Sequence, residues 1–266
     1  MDRYTSMMIR AGAMIPEARW FLIAWDWSES MAANADRIQA RNMLGAASRA
    51  QAATWVNVLM RRFWKGSVPV GAALTSVAKH PAAADVWLKP LLYFFTAQAD
   101  YTLRDLVLSV VQPRYRTPLH TLTIEQEFYS QASTWSATGQ TARPWSSDTA
   151  RRVSRSAVSA LRDFGVLRRP GDKISPPVLP LPAFSLIAFW LHEQASSGMR
   201  LLTNPEWGLF LLDAADVEAK LLEAHRCKLL EYQAAGSTVR VDFPAATLPQ
   251  YARLMAARIE AETPVP

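Results

Sequence analysis

The stretch Trp145-Ser-Ser-Asp-Thr-Ala-Arg-Arg-Val-Ser-Arg-Ser-Ala-Val-Ser-Ala-Leu-Arg-Asp-Phe164, followed by Gly165-Val-Leu-Arg-Arg-Pro-Gly-Asp-Lys173, decides how this chain is read. It predicts a helix over 147–164, a glycine stop and a basic hairpin. At helical spacing Val153, Ala157, Ala160, Leu161 and Phe164 share one apolar stripe. Arg151, Arg155 and Arg162 fall opposite that stripe, and Arg152 flanks it. Ser147 stands where an N-cap is expected, with Asp148 and Thr149 in the first turn. Gly165 is placed to take the left-handed conformation that ends a helix. A helix followed directly by a two-stranded wing is how winged helix-turn-helix domains meet DNA.

Charge supports that reading. Residues 141–173 carry 8 Lys/Arg against 3 Asp/Glu, and the chain as a whole has a formal net charge of +6. A charge run more often marks a solvated face than a binding site. Here the hairpin adds Arg168, Arg169 and Lys173 to the helix arginines, and few acids compensate. Arg143, Ser147 and Thr149, ahead of and at the start of the helix, complete the candidate contacts.

The rest of the composition sets bounds. The 266 residues are half apolar and one fifth charged, enough for two domains with cores. The single cysteine, Cys227, excludes an internal disulfide framework and points to the cytoplasm. The longest apolar run, 178–191, is interrupted by Pro180 and Pro182 and falls short of the about 20 residues a membrane span needs. It reads instead as a buried helix starting near Pro182, and the chain as soluble.

Residues 1–135 read as a helical bundle, including one long helix from Asp36 to Trp64. A polar stretch over 133–144 reads as a linker. Residues 141–266 then read as a winged-helix-like domain with two helix-hairpin units, 147–179 and 216–243. In the second, Asp213 or Asp216 caps the helix, Gly236-Ser237 signals the turn, and Val239, Val241 and Phe243 alternate onto one face. Its helix is acidic, so the first unit is the better DNA reader. The fold class is therefore mainly α, with α+β segments carrying short hairpins.

Nothing in the chain calls for catalysis. His80, His120, His192 and His225 lack metal-ligand spacing. No phosphate-binding glycine loop or nucleophile elbow is present. Glu125 and Glu127 read as a solvated helix start, and the tryptophans as core or as anchors of the linker. No cofactor is expected.

The segments Arg41-Asn-Met-Leu-Gly-Ala-Ala-Ser-Arg49, Arg61-Arg62, Ser146-Ser-Asp-Thr-Ala-Arg-Arg-Val153, Leu161-Arg-Asp-Phe-Gly-Val-Leu167, Leu221-Leu-Glu-Ala-His-Arg226 and Leu229-Leu-Glu-Tyr-Gln-Ala-Ala-Gly-Ser-Thr-Val-Arg240 resemble the BrxA family of BREX bacteriophage-defence systems. The resemblance implies a NusB-like helical N-terminal part, a DNA-binding accessory role beside other BREX subunits, and no enzymatic activity. Members have carried an inner-membrane label, which the span argument opposes.

The expectation is a non-enzymatic component that binds double-stranded DNA through Arg151, Arg155, Arg162, Arg168, Arg169 and Lys173. Six phosphate contacts would give a log–log salt slope of about −5. Arg41, Arg49, Arg61 and Arg62 form a second candidate basic surface. The alternative is a protein–protein adaptor or an RNA-binding component.

Overall fold

A computed structural model describes residues 3–64, 68–117, 122–195, 197–236 and 238–262. His120 and Ser237, considered above, lie outside these. The elements run α1 (Met8–Ala11), α2 (Ile15–Ala24), α3 (Met31–Ala40), α4 (Arg49–Phe63), α5 (Val68–Lys79), α6 (Pro81–Ala83), a π-helical turn at Ala84–Leu88, α7 (Lys89–Ala99) and α8 (Tyr101–Leu106). A second π-helical turn at Val107–Val111 leads to α9 (Gln112–Arg116), α10 (Ile124–Ala137), α11 (Ser147–Phe164), β1 (Leu167–Arg168) and β2 (Lys173–Ile174). Next come α12 (Leu181–Ala195), α13 (Gly198–Leu202), a 3-10 turn at Pro205–Phe210, α14 (Ala214–Arg226), β3 (Glu231–Ala235), β4 (Thr238–Asp242) and α15 (Leu248–Glu262). The chain is mainly helical, and β1–β2 and β3–β4 are two separate antiparallel hairpins.

Contacts divide the chain into two units that interleave along the sequence. The first combines Met1–Met14, Tyr93–Val178 and Glu206–Leu211; the second combines Ile15–Leu92, Leu179–Pro205 and Leu212–Pro266. The expected division near 135–141 falls inside the first unit, where α10 and α11 pack on each other.

In the first unit, Thr123 and Gln126 form a reciprocal capping box that starts α10. The linker is anchored rather than loose. Tyr4 stacks on Trp135 with centroids 3.8 Å apart, Tyr4 bridges Thr141 in parallel, and the Trp145 N–H donates to Ser136 Oγ at 2.6 Å. Tyr93, buried beside Phe164 and Phe210, donates from its hydroxyl to the Leu209 carbonyl at 2.9 Å. Arg104 joins Glu206 and Asp105, and Asp105 also accepts from Arg3 and the Tyr4 hydroxyl. Each charge in this half-buried network has a partner, as low-dielectric surroundings demand.

In the second unit Phe21, Trp25, Trp27 and Trp64 form an aromatic cluster, with Trp25 and Trp64 centroids 4.4 Å apart. α5 packs on α15, and Phe189, Phe243 and Tyr251 meet edge and face. The helix expected from Asp36 to Trp64 is two helices. Asn42 and Gly45 take positive φ of 45° and 69°, Asn42 ties its side chain to the Ala46 N–H and C=O, and Ser48 caps α4. These local bonds outcompete helix continuation, which the alanine-rich pattern conceals. α12 matches the expected buried helix, with Phe184, Leu186, Ile187 and Ala188 buried. Among the described residues no helix is long and apolar enough to cross a membrane.

Candidate nucleic-acid interface

The site is one continuous stretch, α11 followed by β1–β2. α11 starts one residue earlier in capping terms than the sequence suggests. Ser146 is extended and its hydroxyl accepts the Thr149 N–H, whereas Ser147 is already helical. At the far end Gly165 has φ 85°, and its N–H and that of Val166 return to Arg162 and Leu161 carbonyls. Ala150, Val153, Ala157, Ala160, Leu161 and Phe164 are buried, as the stripe requires. The amphipathic pattern thereby fixes the orientation of the arginine face.

The hairpin follows at once. Leu167 pairs with Ile174 and Arg168 with Lys173, joined by a turn in which Gly171 and Asp172 have φ of 79° and 53°. Leu167 is buried, while Arg168, Arg169 and Lys173 are exposed. Two cations thus sit directly opposite each other on two short strands, an arrangement that destabilises a ladder unless an anion lies nearby.

The arginines of α11 have different fates. Arg162 makes a bidentate pair with Asp172, Nε to Oδ1 at 2.5 Å and Nη2 to Oδ2 at 2.7 Å. The hydrogen bonds that Arg162 donates to Asp172 raise its pKa further above its already high value. Arg162 is therefore withdrawn from the expected landing surface and spans from the helix end to the hairpin tip. Arg155 meets Glu125 of α10 at 3.1 Å in an exposed pair. Arg151 lies over the Tyr129 ring, 5.8 Å from its centroid. Arg151, Arg152, Arg168, Arg169 and Lys173 are exposed and make no ion pair among the described residues. Arg143 is also exposed, and its carbonyl accepts from Thr141.

Sequence reasoning counted Asp172 only as a compensating charge and Glu125 only as a solvated helix start. The Arg162–Asp172 spacing of ten crosses a helix stop and a turn, so no helical periodicity signals it. The Arg155–Glu125 pair joins two helices, and only their packing reveals it.

The second candidate surface belongs to the other unit. Arg41 is the C-cap of α3, Arg49 opens α4, and Arg61 lies in its last turn; all three are exposed. Arg62 is 8% exposed and is not part of a surface. It falls on the inward side of α4 beside the buried Leu59 and Phe63. Among the described residues no group of three His, Cys, Asp or Glu could hold a metal ion.

The BrxA family model matches residues 2–189, which takes in all of the first unit except Met1 and 206–211 and so the entire helix-hairpin site. The match ends within α12, before the segments 221–226 and 229–240. No curated protein matches the chain. With the model covering well over half of its length, the chain belongs to the BrxA family of BREX phage-defence systems.

Proposed function

We propose that this BREX component binds duplex DNA through α11 and the β1–β2 hairpin, without enzymatic activity, in the cytoplasm and alongside other subunits of the system. In this reading α11 and its hairpin act as a winged helix and the remaining helices as a NusB-like scaffold. The observation that carries it is the set of five exposed cations, Arg151, Arg152, Arg168, Arg169 and Lys173, that make no ion pair among the described residues, on one capped helix and its hairpin. The opposed Arg168 and Lys173 gain most from a phosphate between or beside them.

Five phosphate contacts give a log–log salt slope of about −4.5, a little shallower than six would give, because acids hold Arg155 and Arg162 while Arg152 joins the set. A mobility-shift titration with duplex DNA, single-stranded DNA and RNA across salt concentrations tests this. We expect duplex binding that weakens steeply with salt. The combined Arg151→Ala, Arg152→Ala, Arg168→Ala and Lys173→Ala variant should weaken it at least tenfold at low salt and flatten the slope by about 3.6. Full affinity in that variant would place the surface elsewhere, and absence of binding to any nucleic acid would favour an adaptor docking an acidic protein.

A further inference from the structure

On the reading that α11 and its hairpin receive a polyanion, one acid meets the middle of the arginine face, and its geometry differs from that of Asp172. Glu125, in the first turn of α10, reaches Arg155 in the middle of α11 at 3.1 Å, with side chains 42% and 65% exposed. Only one oxygen–nitrogen contact is made, from Nε, and among the described residues the two terminal guanidinium nitrogens meet no carboxylate. Asp172 by contrast holds Arg162 through two bonds, with exposures of 22% and 30%. An exposed single-contact pair is weak and readily exchanged, whereas a bidentate, half-buried one is held. The field of Glu125 also reaches Arg162.

We propose that Glu125 is an internal competitor for the polyanion, occupying Arg155 in the free protein and giving it up to a phosphate on binding. The exchange swaps one anionic partner for another, so Arg155 adds little net affinity and no net counterion release. Glu125 then sets a ceiling on non-specific affinity. A carboxylate left beside a bound phosphate strand repels it, and it penalises any register that places a phosphate close to α10.

A purely structural role is the rival. Glu125 stands at the positive N-terminal end of α10, where a carboxylate stabilises the helix. That role predicts a change in thermal midpoint and none in DNA affinity. The test measures duplex-DNA affinity against salt, and thermal unfolding, for the full chain carrying Glu125→Gln, Arg155→Gln, both or neither. Competition predicts that Glu125→Gln tightens binding about two- to fivefold and steepens the salt slope by about 0.9. With Arg155→Gln present, the same change should yield less than half that gain on a logarithmic scale. Unchanged or weaker binding by Glu125→Gln, or an equal gain without Arg155, overturns the competition. A wild-type protein with no salt-dependent nucleic-acid binding overturns the underlying reading, whatever Glu125 does. Glu125→Ala, which removes the charge and the hydrogen-bonding group together, should match Glu125→Gln in affinity, and a failure to do so also overturns the proposal.

Discussion

The guanidinium of Arg162 and the carboxylate of Asp172 form a brace from the last turn of α11 to the tip of the hairpin. β1 and β2 have two residues each, too few to hold their own register, so the brace supplies what the ladder lacks. Asp172→Asn keeps a side chain that tolerates φ 53° but loses the charge. It should lower stability by about 1 kcal/mol, read as a drop in thermal midpoint, and it should raise amide exchange in 167–174 before that of α11. Equal protection of the hairpin in both proteins would show that the brace is dispensable. The arginine face itself was legible from spacing alone. Which arginines remain available was not, because the partners Asp172 and Glu125 come from a turn and from a neighbouring helix. Arg62 makes the same point from the other side, since Arg61-Arg62 reads as a basic pair and the helix buries one member.

Among elements, the helices with clear caps were the most legible. α11 appears with the bounds its stripe and glycine predict, and α14 is capped by Asp213, which bonds reciprocally with Asp216. The break between α3 and α4 was hidden because it depends on Asn42 bonding its own backbone neighbours, a choice that alanine-rich flanks do not advertise. The second hairpin is held from outside as well as by its own five-residue strands. A Cβ on Gly198, the first residue of α13, would lie 2.4 Å from the Val239 carbonyl oxygen on β4. Since this contact is with backbone, no side-chain rotation relieves it. Gly198→Ala should destabilise the second unit by about 1–3 kcal/mol, measured by chemical denaturation. An unchanged denaturation midpoint would mean that β4 can move away freely.

Across the fold, protonation links the N-terminal segment to stability. Burial, then the hydrogen bond to Asp105, pushes the Tyr4 hydroxyl up from 10.0 to about 12, and burial with Glu218 does the same to Tyr232. The folded state therefore retains protons that the unfolded chain releases above pH 10. Stability from these groups is complete below pH 10 and is lost as pH rises through about 12. Thermal midpoints should fall steeply between pH 10 and 12, and Tyr4→Phe should make the part belonging to the first unit shallower. A Tyr4→Phe curve parallel to the wild type would refute the assignment. The mainly helical class and its two hairpins could be read from composition and turn residues. The pairing of distant segments could not, since Arg104 with Glu206 and Tyr93 with Leu209 are separated by more than a hundred positions.

That interleaving has an outcome for anyone who dissects this gene. The chain passes from one unit to the other at 14/15, 92/93, 178/179, 205/206 and 211/212. No single cut releases an intact half. A fragment spanning 93–178 would carry the whole of α11 and its hairpin yet leave Arg104 with Asp105 but without Glu206, and Tyr93 without its Leu209 acceptor, so it should be only loosely ordered. A swap of the basic helix between relatives that kept its unit whole would have to bring residues 1–14 and 206–211 along with 93–178.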